Sequence, residues 1–315
     1  MTIKALFTYD YGKERMDSVR ELGYEILVKK EKDITYTEDL EDIEVLVCYD
    51  PFETLDVSNM KKLKWIQLSS AGIDQVPKEK LVNSNIILTN NRGGYSIPMG
   101  EWIVLKILEL YKNSKSFYEK QRNKKWQIDT SVMEVCGKTI GFLGTGTIAV
   151  EAAKRLQGFD VEVIGLNTKG APVEYFNKSF KKEEIDKMLR ICDVVVVTIP
   201  YTQETHYLLN RERMAVMKEG ALVVNVARGA IIDEKALVEN ISTGRIRGAA
   251  LDVAEEEPLD ESNPLWSCEN VIITPHNSWV SEKRNERRFD LIYKNMGEYV
   301  GNKKLINIVN ISKGY

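Results

Sequence analysis

The sequence predicts an α/β fold built from two doubly wound domains, each a parallel sheet with helical crossovers. Three observations point there. Short apolar runs alternate with longer amphipathic stretches over most of the chain, which is the rhythm of strand, crossover helix, strand. Residues 194–199 are nearly all β-branched, as suits a strand buried on both faces. The chain has 315 residues, and at roughly 150 residues per domain this leaves room for two.

The elements follow in order. Residues 3–9 read as a strand, and helical spacing covers 13–22. Residues 24–28, 45–49, 65–68 and 86–88 are further strands. Pro98 then stands in the first turn of a long helical pattern running to residue 118; a proline fits there because its missing N–H would lack a helical partner anyway. A second series begins with a strand over 139–143, a glycine turn and a helix over 148–156. Strands over 161–166, 194–199, 221–226, 248–253 and 271–274 follow, with helices over 182–189 and 234–241. The last helical stretch, 285–300, leads the chain back to the first domain. The expected division is therefore 1–97 with 285–315 in one domain and 98–284 in the other.

Composition removes several classes of function. The chain is 43% hydrophobic and 29% charged, and 44 Lys and Arg against 47 Asp and Glu leave a net charge of −3. That balance gives no electrostatic reason to expect a nucleic-acid or anionic-membrane partner. No apolar run approaches the roughly 18–20 residues that span a bilayer. The segment from Met1 to Phe7 lacks a signal-peptide core. Cys48, Cys136, Cys192 and Cys268 form no CxxC pair, so neither a metal site nor a disulfide framework is expected. A reduced, cytoplasmic setting fits. His206 and His276 are the only histidines, so chemistry that needs an imidazole must use one of them.

The strand over 139–143 runs directly into Gly144-Thr145-Gly146-Thr147-Ile148-Ala149. This is GxGxxA, a form of the dinucleotide fingerprint. Gly144 permits the tight turn, Gly146 lets backbone approach a diphosphate, and the small Ala149 lets helix and strand pack closely. The diphosphate would lie at the helix N-terminus, beside Thr147 and Ile148, where free N–H groups favour negative charge. A second strand ends about 20 residues on, where a site for NAD carries Asp or Glu to bind the ribose 2′-hydroxyl. Asn167-Thr168-Lys169 stand there instead. These residues tolerate a 2′-phosphate, so the expectation leans towards NADP(H). The competing reading makes Lys169 a solvated loop residue and NAD(H) the cofactor.

Ligands of open α/β sheets bind outside the carboxyl ends of the strands. Arg228 follows one such end, Glu257-Pro258 a second and Pro275-His276 a third. Each has a plainer reading: Arg228 as a surface residue, Glu257 as part of a solvated acidic run, His276 as a hydrogen-bonded loop residue. Together they suit reduction of a 2-oxo acid. A planar guanidinium grips the carboxylate and polarises the carbonyl. An imidazole supplies the proton, and a neighbouring carboxylate orients it and favours its charged form. His206 is the competing acid, with no obvious partner, and reads mainly as structural.

These residues resemble the D-isomer-specific 2-hydroxyacid dehydrogenase family. Ala250-Leu251-Asp252-Val253-Ala254-Glu255-Glu256-Glu257-Pro258, then Pro264-Leu265-Trp266 and Thr274-Pro275-His276, look like its C-terminal signature. Asn225-Val226-Ala227-Arg228-Gly229 with Asp233 looks like its arginine motif, and Pro200-Tyr201-Thr202-Gln203-Glu204-Thr205 like the loop beside the cofactor phosphates. The resemblance is strongest over residues 137–276. It implies a flavodoxin-like substrate domain made from both chain ends, a Rossmann cofactor domain, an active site in the cleft between them, and a homodimer formed through the cofactor domain. It implies Arg228, Glu257 and His276 as the catalytic set. Pro200, Thr205, Ala227 and Asp252 join the cofactor site, Asp252 near the nicotinamide amide. Ala71 and Gly72, in Ser70-Ala71-Gly72-Ile73-Asp74, match a loop whose N–H groups bind the substrate carboxylate. Asn91-Arg92-Gly93-Gly94 resembles the loop that follows.

Departures from the family pattern refine the expectation. Asn167 replaces the usual acid. Trp279 stands where many relatives have small residues and is read either as a wall of the substrate pocket or as a packing residue. The chain stops soon after the returning helix, which argues against the larger phosphoglycerate dehydrogenases, and Pro275 stands where formate dehydrogenase-type relatives carry Gln. The expected function is reversible, NAD(P)H-dependent reduction of a 2-oxo acid, such as glyoxylate, hydroxypyruvate or a larger one, to the D-2-hydroxy acid. The alternative is a dinucleotide-sensing scaffold that binds protein partners and turns over slowly.

Overall fold

The computed structural model describes residues 2–313; Met1, Gly314 and Tyr315, which fall at the ends of the expected first domain, lie outside the described residues. The chain divides into two compact units, one running to Tyr95 and resuming at Ser281, the other covering Ser96–Val280.

In the first unit the elements are β1 (Ile3–Phe7), α1 (Lys13–Glu21), β2 (Tyr24–Val28), β3 (Val45–Cys48), β4 (Trp65–Leu68), the short α2 (Lys78–Leu81) and β5 (Ile87–Thr89). The strands pair in parallel in the order β2-β1-β3-β4-β5, the flavodoxin-like order. Side chains alternate between faces as strand geometry requires. Ala5 and Phe7 join Val45 and Trp65 in one core cluster. Leu6 joins Leu46, Ile66 and Leu88 in another.

The second unit begins with α3 (Ser96–Tyr111) and α4 (Ser114–Arg122). The single helix expected here breaks, because Asn113 adopts φ +50°, a left-handed conformation that asparagine tolerates better than most residues. There follow β6 (Thr139–Leu143), α5 (Thr147–Leu156), β7 (Glu162–Asn167), β8 (Lys178–Lys181), α6 (Ile185–Leu189), β9 (Val194–Val197), α7 (Arg211–Val216), β10 (Ala221–Asn225), α8 (Glu234–Ser242), β11 (Ile246–Leu251) and β12 (Val271–Ile273). These strands form a parallel sheet in the order β12-β11-β10-β9-β6-β7-β8. Chain order reverses between β6 and β9, which makes that crevice the topological switch point of a Rossmann fold. β9 is four valines, all buried. Val195 and Val197 face one core cluster, while Val194 and Val196 face the cluster holding Ala149, Ala152 and Ala153 of α5.

The chain then returns to the first unit as α9 (Arg284–Val300). Phe289, Ile292 and Met296 of α9 pack with Ala5, Phe7 and Trp65. A buried polar chain ties the helix to the sheet. Asn295 Nδ2 donates to Gln67 Oε1 at 2.8 Å and to Ile306 C=O at 3.0 Å, while Asn295 Oδ1 accepts Ile306 N–H at 2.7 Å. Gln67 Oε1 also accepts the Thr89 hydroxyl at 2.9 Å, and Thr89 in turn accepts Trp65 Nε1–H at 2.8 Å. Gln67, Thr89 and Asn295 have no exposed surface, so an unmade bond in this chain would carry the full desolvation penalty of a buried polar group. Asn295→Ala is therefore expected to destabilise the protein by about 2–4 kcal/mol, read as a lower urea midpoint; an unchanged midpoint would refute the role given to the network.

Candidate active site

The rim of the second sheet is set by strand register. Asn225, Leu251 and Ile273 stand side by side on β10, β11 and β12. The chain beyond each carries Arg228, Glu257 and His276 respectively. Backbone bonds continue the alignment past the strand ends. Asp252 N–H reaches Asn225 C=O at 2.9 Å, and His276 N–H reaches Asp252 C=O at 2.7 Å.

Asp252 is 1% exposed, and a buried carboxylate must find donors. It finds them all in the turn that carries His276. Oδ1 accepts the Thr274 hydroxyl and, at 2.8 Å, Asn277 N–H, while Oδ2 accepts Ser278 N–H at 2.9 Å. The indole N–H of Trp279 closes the turn on His276 C=O at 2.9 Å. His276 itself sits at φ +50°, an uncommon conformation that these surrounding bonds enforce. Its Nδ1 donates to Glu257 Oε2 at 2.8 Å. An ionised carboxylate can only accept, so this contact puts the proton of a neutral ring on Nδ1 and leaves Nε2 to face another partner. Both side chains of the pair are half-exposed.

Arg228 lies three residues past β10. Its guanidinium donates to Ala227 C=O at 2.6 Å, and its own C=O accepts from Asn225 Nδ2 at 2.9 Å. His206 lies elsewhere: its ring stacks on Tyr207 with centroids 3.9 Å apart, and Nδ1 is 3.3 Å from the Tyr201 hydroxyl.

The glycine turn has the shape that a diphosphate needs. Gly144 adopts φ +96°, and a Cβ there would lie 3.0 Å from the backbone of Ile199. At Gly146 a Cβ would meet nothing within 4 Å, so the space in front of the α5 N-terminus is open to a ligand. Thr147 is exposed, Ile148 half-buried and Ala149 buried. These residues fit a dinucleotide. Around them, other side chains expected at the cofactor are engaged in shaping their own loops. Asn167 Oδ1 accepts N–H groups of Lys169 and Ala171 at 3.2 and 3.0 Å, which closes a turn that leaves Thr168 and Lys169 exposed. Thr205 is buried, with its hydroxyl on Pro200 C=O at 2.9 Å. Ala71 and Gly72 belong to the first unit, in the turn after β4.

Residues 104–278 match the family model described as D-isomer specific 2-hydroxyacid dehydrogenase, NAD binding domain. A glyoxylate reductase of Thermofilum pendens is 30% identical over 265 residues, 82% of this chain and 78% of that one. A glyoxylate reductase of Pyrococcus horikoshii is 31% identical over 287 residues, 88% of this chain and 83% of that one. The chain belongs to the D-isomer-specific 2-hydroxyacid dehydrogenase family. The crystal structure of a family member from Xanthobacter autotrophicus Py2, in complex with NADPH and MES, has the same fold, with a TM-score of 0.85 at 24% identity over the whole of both chains. The protein is thus an NAD(P)-dependent oxidoreductase, and the comparisons lend the scaffold alternative no support. Among the described residues no helix is long and apolar enough to cross a membrane, and no group of three or more His, Cys, Asp or Glu could hold a metal ion.

In this dehydrogenase a brace that the motifs do not announce joins the arginine turn to the Glu257 turn. Glu234 N–H donates to Glu255 Oε1 at 2.9 Å, and Glu255 N–H donates back to Glu234 Oε1 at 2.6 Å. The Tyr207 hydroxyl donates to Glu255 Oε2 at 3.0 Å. Burial pushes the Glu234 carboxyl up from the ordinary glutamate range. The braced backbone lies directly on Gly229, where a Cβ would come within 1.9 Å of the Ala254 carbonyl carbon. Only glycine fits, and the residue before it is Arg228. Gly229→Ala is expected to cost about 1–3 kcal/mol of stability by overpacking and to depress turnover, measured by thermal denaturation and steady-state kinetics; wild-type values in both would contradict the packing described.

Proposed function

We propose that this dehydrogenase interconverts a small 2-oxo acid and its D-2-hydroxy acid, with glyoxylate, hydroxypyruvate or a somewhat larger 2-oxo acid as substrate. The observation that carries this reading is the Glu257–His276 contact at 2.8 Å, on the sheet rim that also bears Arg228 and the glycine turn. A bound nicotinamide supplies or accepts a hydride at the substrate C2. Arg228 holds the substrate carboxylate and polarises the C2 carbonyl, a task for a planar cation. His276 gives a proton from Nε2 to the carbonyl oxygen during reduction and takes it back during oxidation. Glu257 holds the ring by Nδ1 and offsets its positive charge. Ala71 and Gly72 bind the carboxylate through backbone N–H groups, and Trp279 limits the size of the acid.

The diphosphate would rest on the backbone of Gly144, Gly146, Thr147 and Ile148, with Pro200, Thr205, Ala227 and Asp252 completing the site. NADP(H) is favoured over NAD(H): Asn167 is uncharged where a carboxylate would repel a 2′-phosphate, and Lys169 is exposed beside it. The test is a panel of 2-oxo acids run with NADPH and with NADH. Activity with at least one acid and a higher kcat/KM for NADPH are expected. Arg228→Ala and His276→Ala should each lower kcat/KM by about 10²–10⁴ with cofactor affinity retained; near-wild-type rates in either would sink the assignment.

A homodimer through the cofactor-binding unit is part of the same proposal. Phe117, Tyr118, Trp126, Ile128 and Val132 are exposed on that unit, Trp126 fully, and apolar groups this concentrated mark an association surface. Sedimentation velocity should find twice the chain mass for the wild type and the single mass for Trp126→Ser/Ile128→Ser; a monomeric wild type would refute it. A cytoplasmic location is proposed on the four free thiols, Cys48, Cys136, Cys192 and Cys268.

A further inference from the structure

Four successive carbonyls in the turn after β4 each have a donor. Ser69 C=O accepts the Tyr95 hydroxyl, Ser70 C=O accepts Asn91 N–H at 2.7 Å, Ala71 C=O accepts Asn90 Nδ2 at 2.7 Å, and Gly72 C=O accepts the Ser70 hydroxyl at 2.8 Å. These peptides are trans, and in a trans peptide the N–H points opposite to its C=O. Tethering the Ser70 and Ala71 carbonyls therefore sets the direction of the Ala71 and Gly72 N–H groups. Both are turned away from the Asn90–Asn91 segment. Successive N–H groups held this way form a small positive concavity suited to an anion.

The middle tether is a side chain whose orientation is itself determined. Asn90 is 8% exposed. Its Oδ1 accepts Arg92 N–H at 3.2 Å, so the amide must present Nδ2, its donor end, to Ala71. The backbone beneath is anchored by Asn90 N–H on Asn307 C=O at 3.2 Å and by Asn307 Nδ2 on Arg92 C=O at 2.8 Å. The Asn90 side chain thus has one task on each side: an acceptor for its own loop and a donor for the loop with the N–H groups.

We propose that Asn90 is a positioning residue for substrate binding, holding the Ala71–Gly72 peptide so that its N–H, with that of Ala71, faces the carboxylate of the 2-oxo acid. This rests on the 2-oxo acid reading given above. Asn90 does not touch the substrate. Its influence is confined to how strongly the carboxylate is held, so it acts on affinity and not on the proton or hydride steps.

The test compares wild type with Asn90→Asp, which keeps the shape but replaces the donor by an acceptor that repels the Ala71 carbonyl. Oxalate, a planar dicarboxylate that resembles the substrate end, serves as the binding probe in calorimetry with the nicotinamide cofactor present. Glyoxylate serves for steady-state kinetics. The expected result is an oxalate Kd and a glyoxylate KM raised about tenfold, kcat within about threefold, and an unchanged cofactor Kd. If Asn90→Asp does not fold, Asn90→Ala reads the same loss. Wild-type oxalate affinity in the variant overturns the proposal, as does a parallel fall in kcat and cofactor affinity, which would mark a purely structural residue. If the wild type reduces 2-oxo acids and only Asn90 proves neutral, the assignment of Asn90 fails alone. If the wild type neither turns over nor binds oxalate, the 2-oxo acid reading fails and takes this one with it.

Discussion

A buried carboxylate, that of Asp252, must be surrounded by donors, and the donors it takes are the hydroxyl of Thr274 and the peptide N–H groups of Asn277 and Ser278. That single requirement shapes the turn around His276. With a hydroxyl before the histidine and two N–H groups after it drawn to one anion, the intervening backbone is held at a positive φ at His276. The imidazole then meets Glu257, which lies with Asp252 on the chain that leaves the end of β11. The geometry of the His276–Glu257 pair follows from where one carboxylate has been buried.

Asp252 can act in this way because the sheet beneath it is stiff. At the centre of the second sheet Val194–Val197 is a run of four buried β-branched residues, and a strand buried in this way has one register. Their carboxyl ends are therefore fixed relative to each other, and short turns carry reactive groups a few residues beyond. Gly229 shows how closely those turns are packed, since the backbone of Ala254 and Glu255 occupies the place of a side chain there. In the first unit the same job is done by a polar chain. Gln67, Thr89 and Asn295 bond to each other inside the core, just before the turn that contains Ala71 and Gly72. Rigid strands with tethered loops are the general way a fold holds a site.

Much of this architecture is legible in the amino-acid order. Parallel strands announce themselves as short β-branched runs, and the glycine turn announces the first crossover of the cofactor-binding unit. Reactive residues placed just after such runs point to one rim, because carboxyl ends of parallel strands share a side. Other features are hidden for definable reasons. β8, Lys-Ser-Phe-Lys, is an edge strand with only Phe180 buried, so it has no apolar pattern to find. The break between α3 and α4 depends on a single left-handed asparagine, Asn113. The bond from Asn295 to Gln67 spans 228 residues of chain, and periodicity carries no information at that range. The side chains of Asn167, Thr205 and Asp252 can be placed near a site by spacing, but whether each faces a ligand or its own loop is decided by hydrogen bonds that only coordinates reveal.

The central claim is that the rim carrying Arg228, Glu257 and His276 directs a hydride and a proton to the same carbonyl group. Isotope transfer tests it most directly. Hydroxypyruvate is incubated with nicotinamide cofactor deuterated at either face of C4 in separate reactions, and the product is examined by mass spectrometry and chiral chromatography. The account predicts deuterium at C2 of the D-2-hydroxy acid from one face only. Label absent from C2 with both cofactors, or found in the L product, would contradict it.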